Sequence, residues 1–156
     1  MSFPISILAV AKKNTVFDSE IERYRTLLRP HADLSVTFIK PVAKTETANS
    51  AQIIEEGKLL MEKWPQPCYP VALSEEGKLM NSNEFSVWLR GIMQSEKRLV
   101  LSIGSAFGLS AEYKKQCRSS ISLSPLTLPH KLCMLVLVEQ LYRASTIMSG
   151  HPYHKQ

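Results

Sequence analysis

The residues best suited to chemistry in this 156-residue chain crowd into its last third. The segment His151-Pro152-Tyr153-His154 sets two imidazoles and a phenol around a proline close to the chain end. Chain ends fray unless something ties them down, so a polar aromatic tail of this kind reads as one made to sit in a site. Upstream, Glu139 and Arg143 stand four apart on an apolar helix, the spacing of an ion pair on one exposed stripe. Two loops of small residues and prolines precede that helix: Ile103-Gly104-Ser105-Ala106-Phe107-Gly108, and Leu123-Ser124-Pro125-Leu126-Thr127-Leu128-Pro129-His130. Imidazole and phenol can move protons, and a guanidinium can stabilise a developing anion. Loops with little side-chain bulk offer their backbone groups to a ligand.

Several chemistries are excluded by spacing. The Gly104–Gly108 segment lacks both the Gly-Lys-Ser/Thr of a phosphate loop and the three-glycine dinucleotide fingerprint. No G-x-S-x-G elbow supports a serine hydrolase. Glu55-Glu56 and Glu75-Glu76 read as solvated charge rather than acid–base pairs. His130-x-x-Cys133 and His151-x-x-His154 have the spacing of zinc ligands, but no acidic partner accompanies them and Cys133 is expected in the core, so no metal is expected. Cys68, Cys117 and Cys133 are far apart without a C-x-x-C pair, as expected of reduced thiols in a cytoplasmic protein. The start Met1-Ser2-Phe3-Pro4 lacks the basic residues of a signal peptide. The apolar runs fall short of the ~20 residues that a membrane span needs. With 44% hydrophobic and 21% charged residues the chain has an ordinary globular composition. Its net charge of +5 permits a polyanionic partner such as RNA without requiring one.

The elements that must position these groups alternate along the chain. Ile5 to Ala11 is an apolar run interrupted only by Ser6, suited to a strand buried on both faces. Phe17, Ile21, Tyr24 and Leu28 follow at helical spacing, and Pro30 ends that helix. Leu34 to Ile39 reads as a second strand, and Asn49 to Trp64 as a helix stopped by Pro65. Tyr69 to Leu73 reads as a third strand, Pro70 marking an edge or a strand start. Asn81 or Ser82 caps the next helix, with Glu84 completing a capping box. Arg98 to Ile103 is the fourth strand, Ser110 caps a helix, and Ser120 to Leu123 is a short fifth strand. The last helix runs from about Lys131 to Ser149, with Gly150 as its C-cap. This alternation predicts an α/β fold around a mostly parallel sheet. Ligands bind beyond the carboxyl ends of such strands, which selects the loops Ser74–Lys78, Ser105–Gly108 and Ser124–His130.

Taken in order, Leu123-Ser124-x-Leu126-Thr127-Leu128-Pro129-His130, Glu139-x-Leu141-Tyr142-Arg143-Ala144 and the terminal His151-Pro152-Tyr153-His154 closely resemble the large-subunit ribosomal RNA methyltransferases of the RlmH type, in the SPOUT or trefoil-knot class. The likeness covers essentially the whole chain, with Leu73 ahead of Gly77-Lys78 and the Ile103-Gly104 loop in corresponding places. The resemblance implies one domain over residues 1–156, a parallel sheet flanked by helices, and a C-terminal trefoil knot. It implies a homodimer that binds S-adenosyl-L-methionine in a bent pose. The methyl group would go to N3 of a pseudouridine in large-subunit (23S-type) rRNA on the assembled ribosome. By matching position, the cofactor wall would comprise Leu73, Gly104, Ser105 and Gly108, then Leu123, Ser124, Pro125, Leu126, Thr127 and Leu128. The substrate side would hold His130 and His151. Arg143, Tyr153 and His154 would be catalytic, with His154 or Tyr153 taking the N3 proton and Arg143 stabilising the anion. Members typically carry a Gly-Gly-Pro-Glu-Gly loop where this chain has Gly104-Ser105-Ala106-Phe107-Gly108. That departure keeps open an alternative, a catalytically silent RNA- or ribosome-binding protein of the same knotted fold.

Overall fold

Runs of β-branched and aliphatic residues build the strands, and the punctuation between them sets the helices. The computed structural model describes residues 2–13, 16–42 and 49–155. Met1 and Gln156, the ends of the expected domain, lie outside the described residues. In chain order the elements are β1 (Phe3–Val10), α1 (Asp18–Leu28), β2 (Ala32–Ile39), α2 (Ser50–Glu62), β3 (Tyr69–Leu79), α3 (Ser82–Ser95), β4 (Leu99–Ile103), α4 (Ala111–Gln116), β5 (Ser119–Ser122) and α5 (His130–Ser149). The five strands form one sheet in the order β2-β1-β4-β3-β5, and every pairing is parallel.

Parallel strands need helical crossovers, so both sheet faces are covered. Alternate residues of β1 serve the two layers. Ile5, Ile7 and Ala9 pack with Leu28 of α1, Leu89 of α3 and Leu137 and Leu141 of α5. Leu8 and Val10 face the other way, toward Leu60 of α2 and Tyr113 of α4. The expected caps are present. The Asn81 side chain accepts from the Glu84 N–H at 2.8 Å, and Glu84 Oε1 accepts from the Asn81 N–H at 2.9 Å. Ser110 Oγ accepts from the Tyr113 N–H, and Gly150 closes α5 in the left-handed region at φ 74°.

Of two local expectations, the structure decides one between its alternatives and corrects the other. Pro70 does not mark an edge, because β3 lies between β4 and β5; it stands at the strand start, where a missing N–H costs little. The segment from Ser74 to Lys78 is not a free loop but a continuation of β3 with a register break. Leu73 and Lys78 both pair with Ile121, so the intervening residues bulge over β5. Gly77 lies directly against that strand: a Cβ there would stand 2.6 Å from the carbonyl carbon of Ile121 and 2.7 Å from its nitrogen. Backbone cannot swing aside as a side chain can. Gly77→Ala is therefore expected to destabilise the fold by about 2 kcal/mol, as overpacking does. Urea unfolding measures this, and an unchanged midpoint would show that the 74–78 segment moves freely.

Candidate active site

The carboxyl edge of the sheet opens into a cavity of about 680 Å³, a size typical of small-ligand pockets. Leu73 enters from β3. The loop after β4 contributes Gly104, Ser105 and Gly108, and the loop after β5 contributes Leu123, Ser124, Leu126, Thr127 and Leu128. His130 and Cys133, on the first turn of α5, close one side. Nine of the ten positions expected on a cofactor wall thus face one space. Pro125 does not line it, being exposed at the outward tip of its loop.

The shape of the Gly104 loop has a local cause. A Cβ on Gly104 would stand 2.6 Å from the Gly108 carbonyl carbon, so the turn closes this tightly only with glycine there. Gly108 adopts φ 79° and donates its N–H to the Ser105 carbonyl at 2.9 Å. Ser124 organises the second loop: its Oγ accepts from the Leu126 N–H, and its carbonyl accepts from Ser122 Oγ, both at 2.9 Å. Leu126 is left 72% exposed and Phe107 38% exposed beside the cavity. Glu75, Glu76 and Lys114 add charge to the lining, with Lys114 Nζ 4.0 Å from Glu76. Burial and, secondarily, Lys131 push the His130 imidazole below its usual range, favouring its neutral form. Burial raises the Cys133 thiol to about 11, so it presents an uncharged surface to the cavity.

A second cluster forms around the tail. Arg143 donates from Nε and Nη2 to Glu139 Oε1 at 2.9 and 2.7 Å. The Tyr153 phenol donates to the same oxygen at 3.1 Å, and Gln140 Nε2 donates to Oε2 at 2.8 Å. The Arg143 guanidinium also lies over the Tyr153 ring, 4.7 Å from its centroid, while Tyr142 meets that ring edge-on. The pair is not an exposed stripe: the Arg143 and Glu139 side chains keep only 25% and 18% of their surface. The tail folds back and covers them. Arg143 Nη1 reaches His154 Nδ1 at 3.1 Å. Arginine can only donate, so Nδ1 supplies the lone pair and the neutral ring carries its proton on Nε2. His151 spends its groups on the turn: its N–H goes to the Thr146 carbonyl, and its Nδ1 accepts from the Tyr153 N–H at 3.2 Å. Burial, contact with Tyr24 and the Glu139 carboxylate together hold the Tyr153 phenol well above its normal range.

Within one chain the two clusters stay apart. Arg143 lies thirteen residues beyond His130 on α5, which at 1.5 Å per residue is about 20 Å. Arg143, His151, Tyr153 and His154 do not line the cavity. Sequence reasoning also missed a residue: Glu56, taken as solvated charge, is 2% exposed. A signal was present, because Glu56 falls on the same helical stripe as Ile53 and Leu60. Among the described residues, no three His, Cys, Asp or Glu side chains gather as a metal site would need.

The chain resembles known proteins over almost its full length. The family model described as "Predicted SPOUT methyltransferase" matches residues 3–154. A protein of Neisseria meningitidis serogroup C named "Ribosomal RNA large subunit methyltransferase H" is 34% identical over 154 residues, covering 97% of this chain and 99% of that one. A Bacillus thuringiensis protein of the same name is 35% identical over 157 residues, with the same coverage. With its parallel sheet and its cavity walled by the loops after β4 and β5, this chain belongs to the SPOUT methyltransferase family.

Proposed function

We propose that this protein transfers a methyl group from S-adenosyl-L-methionine to N3 of a pseudouridine in large-subunit rRNA, acting on the assembled ribosome in the cytoplasm. The observation that carries the reading is the cavity of about 680 Å³ at the carboxyl edge, walled by Gly104, Gly108 and the leucines of the 123–128 loop. Its residues suit the cofactor: leucine side chains for an adenine ring, loop backbone for polar edges, and Glu75 and Glu76 for a cationic ligand. When bound, the cofactor supplies an electrophilic methyl group on a sulfonium. The names of the relatives point to rRNA as the acceptor, and the net charge of +5 is compatible with it. The knotted topology is proposed on family membership.

We also infer a homodimer. Tail and cavity are about 20 Å apart along α5 in one chain, and Leu126 and Phe107 expose apolar surface beside the cavity. A second copy would bring its tail to this cavity and complete two equal sites. The site residues then divide the work. N3 of a uracil-type ring is imide-like and a poor nucleophile until it loses its proton. Tyr153 is ill suited to take that proton, since its own is held by burial and by Glu139. His154 offers the Nδ1 lone pair now facing Arg143. When the substrate draws Arg143 off Nδ1, that lone pair would be free to take the N3 proton and the guanidinium would face the anion. His130, at the cavity rim and on the substrate side, would contact the RNA as a neutral donor or acceptor.

The test uses methyl-labelled cofactor and ribosomes from cells lacking the modification. Label is expected on one pseudouridine of large-subunit rRNA, and more strongly on assembled ribosomes than on free rRNA. Absence of label on ribosomes that a typical family member does methylate would overturn the reading in favour of a silent RNA-binding protein.

A further inference from the structure

Glu56 sits midway along α2 with 2% of its surface exposed. A carboxylate withdrawn from water this far is tolerated only when hydrogen bonds replace its hydration. Oε2 accepts from the Val42 N–H at 3.0 Å, and Oε1 accepts from the Ser105 hydroxyl at 3.1 Å. Val42 follows β2 and Ser105 follows β4, while β1 lies between those strands in the sheet. One carboxylate therefore ties the two chain segments that leave the carboxyl edge on either side of β1.

The depth of Glu56 depends on its neighbour. A Cβ on Gly57 would stand 3.0 Å from Tyr113 Cβ and 3.1 Å from Ser110 Oγ, so the bare glycine lets α2 lie close against α4. Tyr113 is itself fixed, its phenol bonded to Ser102 Oγ and accepting from Trp64 Nε1. On the far side of the contact, Ser105 Oγ also accepts from the Phe107 N–H at 3.3 Å, and the Ser105 carbonyl accepts from Gly108. The serine hydroxyl is thus engaged within the protein, donating to Glu56 and accepting from its own turn. Its influence on the cavity runs through the shape of that turn.

We propose that Glu56 is a positioning residue for the cofactor: by holding the Ser105 hydroxyl, it fixes the 104–108 turn in the form that receives S-adenosyl-L-methionine. The proposal rests on the cofactor reading above. It places the control of one cavity wall on a helix that contributes nothing to the lining itself.

Calorimetric titration of the full-length protein with S-adenosyl-L-homocysteine, the demethylated product, tests it without any turnover. Ser105→Ala is expected to weaken binding about five- to tenfold, the worth of one well-formed hydrogen bond, and to lower the melting temperature by about 5 °C, because Glu56 Oε1 loses a partner. Ser105→Thr, which keeps the hydroxyl, should bind within about threefold of wild type. Glu56→Gln can still accept from Val42 and donate to Ser105, so it should also retain most of the affinity. Glu56→Leu, which gives up the Val42 bond as well, should lose at least as much affinity as Ser105→Ala, and adding Ser105→Ala to it should cost nothing more, because the bond between the two residues is already gone. Wild-type affinity in Ser105→Ala, or losses that multiply in the double variant, would overturn the proposal. If Glu56→Leu does not fold, the Ser105→Ala and Ser105→Thr pair decides alone. A wild-type protein that takes up no S-adenosyl-L-homocysteine would instead defeat the cofactor reading and the proposal with it.

Discussion

Arg143→Ala should lower single-turnover methyl transfer about 10²- to 10³-fold, the usual effect of removing one preorganised charge aimed at a developing anion. Affinity for S-adenosyl-L-homocysteine should stay within about twofold of wild type, because Arg143 makes no part of the cavity wall. The guanidinium joins three groups that no other side chain could hold together. It donates twice to Glu139 Oε1, once to His154 Nδ1, and it covers the Tyr153 ring. Without it, Glu139 keeps only the Tyr153 phenol and Gln140, and His154 loses its fixed orientation. Arg143→Lys is expected to fare little better, since one ammonium lacks the planar fork that serves a carboxylate and an imidazole at once. The effect on stability should be modest, about 1 kcal/mol, because the ion pair is partly solvated. Single-turnover rates on ribosomes, set beside calorimetric binding, separate these terms. An unchanged rate would reduce the Arg143–Glu139 pair to a tie between helix and tail.

Much of this architecture was legible because each element carries its own punctuation. Pro30 and Pro65 stop α1 and α2 close to where the helices end, and Asn81 with Glu84 starts α3 through two reciprocal bonds. Strands buried on both faces gave largely apolar runs, broken only by Ser6 between Ile5 and Val10 of β1 and by Ser102 in β4. The order β2-β1-β4-β3-β5 was not legible, because strand neighbours are chosen by long-range packing that no local pattern records. The extension of β3 was hidden for a related reason. Ser74-Glu75-Glu76-Gly77-Lys78 is polar and glycine-bearing, so it reads as a loop, and only pairing with Ile121 gives it strand form. The loops that wall the cavity were legible from the rule that parallel sheets bind ligands at their carboxyl edge. Glu56 shares the stripe of Ile53 and Leu60, but an adjacent pair of carboxylates usually faces water, and its burial follows from how closely Gly57 lets α2 approach α4. The distance between tail and cavity, by contrast, follows from the helix rise between His130 and Arg143 alone.

That distance has a consequence at the level of the assembly. In the proposed homodimer, two variants that are each inactive should restore activity when they pair with one another. Gly104→Val places a side chain where even a Cβ would lie 2.6 Å from the Gly108 carbonyl carbon, so the turn must open and cofactor binding is expected to vanish. Arg143→Ala leaves the cavity whole and disables the tail. If one subunit's tail serves its partner's cavity, a mixed dimer pairs a damaged cavity with a damaged tail at one site and leaves the other site intact. Random pairing makes half the dimers mixed, each with one working site of two, so co-expressed variants should recover about a quarter of the wild-type rate. Were each chain to complete its own site, every site in the mixture would carry one lesion, and the rate would not exceed that of the single variants. Differently tagged variants, purified as the mixed species and assayed on ribosomes, distinguish the two arrangements. The same measurement fixes the direction in which α5 must run across the interface: its His130 end toward its own cavity, its Arg143 end toward the partner's.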